Sequence, residues 1–223
     1  MSNLSGPERP AASGKADSLV VFLHGYGADG NDLIGLADPL APHLPGTRFL
    51  APNAPEPCVN NPAGYQWFPI PWLDGSGVAE ATAVALRSFD LLDGWLDAVA
   101  AETPPERTIL FGFSQGTMMA LQVAPRRPEA FAGIVGFSGR LLHPERLGAE
   151  IVSRPPVLLV HGDADPMVPV ASLSEAAAAL TAAGVETRTH VSKGVGHGIA
   201  PDGLGLALDF IRGRLDATAG RPS

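Results

Sequence analysis

Short strand-like runs alternate along this chain with stretches in which apolar residues recur every three or four positions. In Ser18-Leu19-Val20-Val21-Phe22-Leu23 every position after the first is apolar. A half-exposed strand would alternate, so this run predicts a strand covered on both faces. Further strands are expected at residues 47–51, 107–113, 131–137, 157–161 and 186–191. The intervening helices are expected at 31–40, where Asn31 is a suitable N-cap, and at 78–101, where Leu86, Phe89, Leu92, Leu96 and Val99 mark one face. Others are expected at 115–124 and at 171–183, an alanine-rich run stopped by Gly184. Leu204, Leu208, Ile211 and Leu215 mark a closing helix.

A β–α–β–α order of this kind predicts an α/β protein, with a mostly parallel sheet and helices on both faces. Chemistry in such sheets collects at the carboxyl ends of the strands. One domain is expected over residues 18–216, without a separate cap domain. Residues 1–17 are polar and rich in Ser, Gly and Pro, and read as a loose tail, as do residues 217–223. One stretch breaks the rhythm. Residues 52–77 hold six prolines and no clear period, and unstructured connections of that length are usually functional or disordered. Tyr65, Trp67, Phe68 and Trp72 argue against disorder, so this loop is expected to wall a substrate pocket.

Composition narrows the function. The formal net charge is −8, from 15 basic and 23 acidic side chains, and the one basic cluster is the pair Arg126-Arg127. Nucleic acid and charge-held lipid surfaces are therefore poor partners. The apolar runs are too short to span a bilayer, and the N-terminus lacks the apolar core of a signal peptide. The single cysteine, Cys58, precludes an intrachain disulfide. A cytoplasmic protein without stable membrane association is expected. A homodimer through the aromatic loop is left open.

The chemistry starts at Gly112-Phe113-Ser114-Gln115-Gly116. This G-x-S-x-G follows a predicted strand and opens a predicted helix, the setting of a nucleophile elbow. The glycines relieve crowding in a turn too sharp for side chains. A neutral serine hydroxyl needs a base to take its proton. Of the six histidines, His24 and His161 end strands, His190 lies within one, and His43 and His143 sit beside prolines. His197, in the glycine-rich loop Gly194-Val195-Gly196-His197-Gly198, is the one free to reach across the strand ends. The acid is expected between them, in His161-Gly162-Asp163-Ala164-Asp165-Pro166. Spacing favours Asp165 and leaves Asp163 to cap the turn; Asp202 lies after the histidine and breaks the order. The order Ser114, Asp165, His197 is that of the α/β-hydrolases. The developing oxyanion needs N–H donors; these are expected from Gln115 and from the turn around Leu23-His24-Gly25. Gly136-Phe137-Ser138-Gly139 imitates the elbow, but Arg140 stands where a glycine is needed, and Ser138 reads as structural.

Four segments, Phe22-Leu23-His24-Gly25-Tyr26-Gly27, Gly112–Gly116, the run from His161 to Pro169 and Gly196-His197, together resemble the bacterial phospholipase/carboxylesterase family, which includes the acyl-protein thioesterase-like esterases. The resemblance runs from Leu19 to about Leu215. It implies an α/β-hydrolase fold, Ser114 as nucleophile, Asp165 as acid, His197 as base, and an oxyanion hole from the backbone of Leu23 and Gln115. Gln66-Trp67-Phe68 is similar to the substrate loop of the short bacterial members. Against the family pattern, Phe68-Pro69-Ile70-Pro71-Trp72 is bulky and stiffened by proline, which speaks against long-chain substrates, and the short N-terminus implies reduced antiparallel edge strands.

The expected activity is hydrolysis of small to medium carboxylic esters through an acyl-enzyme. Trp67, Phe68, Met167 and Val168 are expected to hold the substrate, with no metal and no organic cofactor. Lysophospholipase or thioesterase activity is the alternative, and a non-catalytic ligand binder on the same scaffold the competing class.

Overall fold

The computed structural model describes residues 4–218. The chain enters through β1 (Glu8–Arg9) and β2 (Ser18–Leu23), followed by α1 (Gly30–Ile34), α2 (Ala37–Leu40) and β3 (Thr47–Leu50). The proline-rich stretch contributes β4 (Glu56–Pro57), β5 (Tyr65–Gln66) and the one-turn α3 (Pro71–Asp74). Then come α4 (Val78–Ala100), β6 (Thr108–Phe113), α5 (Gln115–Val123), β7 (Gly133–Phe137) and α6 (Pro144–Glu150). The chain closes through β8 (Val157–Gly162), α7 (Ala171–Ala182), β9 (Thr187–Ser192) and α8 (Pro201–Thr218).

Seven strands form one sheet in the order β1-β3-β2-β6-β7-β8-β9, and β4 pairs with β5 in a separate two-stranded ribbon. Every pair in the large sheet is parallel except β1 with β3. The chain leaves β2 toward β3 on one side and returns to β6 on the other. The carboxyl ends of β2 and β6 thus flank the point where the winding reverses, where α/β sheets open a crevice.

The uniformly apolar strands follow from cover on both faces. Leu19, Val21 and Leu23 of β2 pack with Leu92 and Leu96 of α4, and with Met119 of α5, on one face. Val20 and Phe22 pack on the other with Leu33, Leu40, and Phe210 and Ile211 of α8. On that second face Phe49, Phe22, Phe111 and Phe137 form an aromatic row across β3, β2, β6 and β7, with centroid separations of 5.8, 5.2 and 5.2 Å. Such contacts lock neighbouring strands in register beyond simple area burial.

Three expectations need correction. Residues 4–17, read as a loose tail, are pinned: Leu4 is buried, the Ala51 and Asn53 N–H groups donate to the Pro7 and Ser5 carbonyls, and β1 caps the outer edge of β3. A two-residue strand has no period to read, and covering an exposed edge is a task that composition does not reveal. The helix expected over 31–40 is two short helices. Asp29 caps the first, accepting from the Asn31 and Asp32 N–H groups. Helix α6 was not anticipated. Residues 217 and 218 continue α8; residues 1–3 of the expected N-terminal tail and 219–223 of the C-terminal tail lie outside the described residues.

Candidate active site

Ser114 sits between β6 and α5 with φ 53° and ψ −113°. A positive φ is costly for a non-glycine residue and signals a turn held by its surroundings. The close approach explains the flanking glycine: a Cβ on Gly116 would lie 1.8 Å from the Leu23 carbonyl oxygen. The elbow is braced further by the Ser114 N–H, which donates to the Phe137 carbonyl at 2.8 Å, and by the Thr117 hydroxyl, placed between the Gly112 and Phe137 carbonyls.

His197, in the loop after β9, brings Nε2 to 3.0 Å from Ser114 Oγ. Its Nδ1 lies 2.8 Å from Asp165 Oδ2. Phe113 packs against the imidazole, with ring centroids 5.0 Å apart. The Asp165 side chain is fully enclosed, and its other oxygen accepts the Met167 and Val168 N–H groups at 2.8 and 2.9 Å. Burial alone would push this carboxyl up; the hydrogen bonds from His197, Val168 and Met167 outweigh it and hold Asp165 below the usual carboxylate range. An ionised carboxylate behind Nδ1 fixes the tautomer that leaves Nε2 free to accept a proton.

The remaining histidines and acids fall elsewhere. His24 is buried, its Nε2 accepting the Ala54 N–H at 2.9 Å and its Nδ1 lying 2.7 Å from the Gly25 carbonyl. His161 Nε2 lies 2.9 Å from the Val168 carbonyl, behind Asp165. His190 pairs with Asp202 at 2.8 Å. Asp163 does not cap its own turn; it accepts the Gly194 N–H.

A cavity of about 310 Å³ opens beside Ser114 and His197. Phe68, Met167 and Val168 line it, with Ile70 and Trp72 from the proline-rich stretch. Trp67 does not line it. It is fully buried, with Nε1 donating to the His24 carbonyl at 3.0 Å and its backbone N–H donating to Gln115 Oε1 at 2.9 Å. A large aromatic with a satisfied indole N–H makes a good core anchor, and sequence could not tell which of two adjacent aromatics faces inward.

Leu23, which the resemblance implies as an oxyanion donor, ends β2. It is buried within β2 and absent from the cavity wall, where Gln115 and Tyr26 both appear. In the following turn the Gly27 and Ala28 N–H groups are taken by the Tyr65 and Gly25 carbonyls. The Tyr26 N–H has no acceptor among the described residues. The turn itself abuts Ser114: a Cβ on Gly25 would lie 3.3 Å from Ser114 Cβ. Gln115 opens α5, so its N–H is one of the groups a helix leaves unpaired.

Tyr26, Met118, Arg140 and Leu142 also line the cavity and were not anticipated as site residues. Met118 was within reach of sequence reasoning, being one helical turn beyond Ser114. Among the described residues no cluster of His, Cys, Asp or Glu is arranged to hold a metal ion, and no helix is long and apolar enough to cross a membrane.

The sequence profile of the phospholipase/carboxylesterase family matches residues 8–215. The chain belongs to this family. It is similar to esterase YpfH of Escherichia coli (strain K12), with 26% identity covering 94% of this chain and 86% of that protein. It is also similar to acyl-protein thioesterase 1 of Saccharomyces cerevisiae, with 30% identity covering 91% and 95%. Among solved structures it resembles esterase PE8, with 49% identity, a TM-score of 0.90, and 95% of this chain and 99% of the other covered. The fold of this family member is therefore that of the α/β-hydrolases, with one short antiparallel edge strand.

Proposed function

We propose that this protein is a serine carboxylesterase that cleaves small to medium carboxylic esters through an acyl-enzyme. The observation that carries the reading is the continuous chain from Ser114 Oγ to His197 at 3.0 Å and on to Asp165 at 2.8 Å. The esterase and thioesterase relatives support hydrolysis of an acyl bond as the reaction class.

In the first half-reaction Ser114 Oγ attacks the ester carbonyl carbon and its proton passes to His197 Nε2. The tetrahedral intermediate collapses, and the alcohol leaves with that proton. In the second half, water attacks the acyl carbon and gives its proton to Nε2. Collapse then returns the proton to Ser114 Oγ and releases the acid. Asp165 steadies the imidazolium formed in each half. The oxyanion accepts from the Gln115 N–H and, in place of the Leu23 N–H, from the free Tyr26 N–H. Each such donor contributes roughly 2.7–4 kcal/mol to the transition state in enzymes where one has been removed.

The cavity supports the size class. About 310 Å³ lies at the small end of the roughly 300–1,000 Å³ typical of ligand sites. Thioester cleavage is the second reading, favoured by the similarity to the yeast thioesterase. A cytoplasmic location is part of the same proposal.

A fluorophosphonate probe tests the nucleophile. Wild-type protein is expected to be labelled at Ser114 and to hydrolyse p-nitrophenyl butyrate; Ser114→Ala should lose both while keeping its thermal midpoint. Labelling that survives the substitution would overturn the reading. Butyryl thiocholine, assayed alongside, separates ester from thioester preference.

A further inference from the structure

Arg140 is the one permanently charged side chain on the wall of a cavity otherwise built largely from apolar groups. Arg126, Arg127 and Arg146, on neighbouring segments, each hold a carboxylate. Arg140 has no ion-pair or hydrogen-bond partner among the described residues, although the chain carries a net charge of −8.

Its position is fixed by a strained turn beside the nucleophile. Ser138 adopts φ 48° and its N–H donates to the Val160 carbonyl at 2.9 Å. Gly139 is wedged under the elbow: a Cβ there would lie 2.4 Å from Thr117 Cβ and 2.9 Å from the Ser114 carbonyl oxygen. Leu141, on the other side, is buried in the core. Arg140 therefore stands between two closely packed residues, itself exposed and on the wall of the pocket that Ser114 serves. Strain of this kind at a site is retained when it presents a group to a ligand. The same segment imitates the elbow in sequence, and Arg140 is the residue that breaks the imitation.

Resting on the esterase reading above, we propose that the preferred substrate carries an anionic oxygen group besides its ester, and that Arg140 binds that group. An apolar wall with one guanidinium sorts ligands by charge. A neutral ester gains little from it. A tethered carboxylate or phosphate gains a two-pronged, charge-assisted contact that lysine could not fully replace. The group could lie on the acyl side, as in the monoester of a dicarboxylic acid, or on the alcohol side, as a phosphate.

Two substrate pairs separate the sources. One is p-nitrophenyl hydrogen glutarate against p-nitrophenyl pentanoate. The other is 1-butyrylglycerol 3-phosphate against 1-butyrylglycerol. In at least one pair, wild type should favour the charged ester in kcat/KM, and salt should weaken that preference. Arg140→Gln should lower the charged-to-neutral ratio about tenfold or more, chiefly through KM, with Arg140→Lys between. A wild-type ratio at or below one in both pairs, or a ratio unchanged in Arg140→Gln, overturns the proposal. Turnover of p-nitrophenyl pentanoate and its loss in Ser114→Ala report on the esterase reading separately. Calorimetric binding of both charged esters to Ser114→Ala, weaker by the same factor for one of them in Ser114→Ala/Arg140→Gln, reads the contact without turnover; equal binding in the two proteins counts against it.

Discussion

The Gly194 N–H donates to Asp163 Oδ1 at 2.6 Å, joining the loop that carries Asp165 to the loop that carries His197. Two backbone bonds reinforce the join, from Asp163 N–H to Ser192 and from Ala164 N–H to Val195, at 3.1 and 2.9 Å. Two long-separated segments are thus tied together independently of the Ser114–His197–Asp165 contacts. Pre-organisation of this sort sets how much of a reaction's orientational cost is met in the folded protein.

The two neighbouring aspartates should separate cleanly by substitution. Asp165→Asn leaves the imidazole in the wrong tautomer, a change that lowers kcat about 10⁴-fold in a serine protease triad. Asp163→Asn keeps an oxygen for the Gly194 N–H, so it should fold and retain most activity. Asp163→Ala removes that acceptor and should cost about tenfold in kcat. Steady-state kinetics on the three variants check this, and a ranking with Asp163→Asn below Asp165→Asn would move the acid to position 163.

Gln115 should act on stability and on the pocket at once. Its fully buried amide accepts from the Trp67 N–H and donates to the Phe68 carbonyl at 2.8 Å. Gln115→Ala strands both backbone groups, at about 1–3 kcal/mol for each buried group left unpaired. A lower thermal midpoint and a raised KM are expected together, because Phe68 lines the cavity and would lose its tether. Unchanged melting with normal KM would mean that the loop is held by other contacts.

How much of this was legible in the sequence depended on the kind of signal. Ser114, Asp165 and His197 stood out because an elbow needs glycines at fixed offsets and because the three must fall in chain order at strand ends. The strands were legible because burial on both faces leaves an apolar run. The inward turn of Trp67 was not, since two adjacent aromatics have the same composition whichever faces the core. The free N–H of Tyr26 was not legible for a related reason. Backbone donors carry no side-chain signature, and only the turn geometry shows which N–H is left free. Arg140 was read as a flaw in a second elbow, when its meaning lies in the pocket it faces.

Acid should weaken the fold in two windows. Burial pushes the His24 imidazole below 6.5, partly opposed by the Gly25 carbonyl. The unfolded chain therefore binds a proton at His24 more readily than the folded one, and stability falls as pH drops below 6.5 toward the lowered folded value. Asp165 behaves differently. Its folded value lies below the ordinary 3.8, so its contribution is complete above 3.8 and is lost as pH falls through the folded value. Urea unfolding from pH 8 to 3 should show a decline beginning near 6.5 that is absent in His24→Gln, whose baseline will be lower. A wild-type curve flat between pH 7 and 5 would show that His24 is not held neutral.

Chain-length preference should follow from how firmly the proline-rich wall is held. Asp74 is the clamp. Its Oδ2 accepts the Ile70 N–H at 2.7 Å and the Tyr26 hydroxyl at 3.0 Å, and its Oδ1 accepts the Ser76 N–H at 2.9 Å. Gly75 then ends α3 in the left-handed region at φ 74°, a stop that a side chain would strain. The wall so held bounds about 310 Å³ and offers little room for a long acyl chain. Across p-nitrophenyl esters from acetate to palmitate, kcat/KM should peak at short chains and fall beyond about ten carbons. Asp74→Ala frees three donors at once and should shift the optimum toward longer chains while raising KM for short ones. Tyr26→Phe removes one of the three bonds and should shift it less. A wild-type preference for palmitate would mean that the wall opens, and an optimum unmoved in Asp74→Ala would mean that the prolines alone hold it.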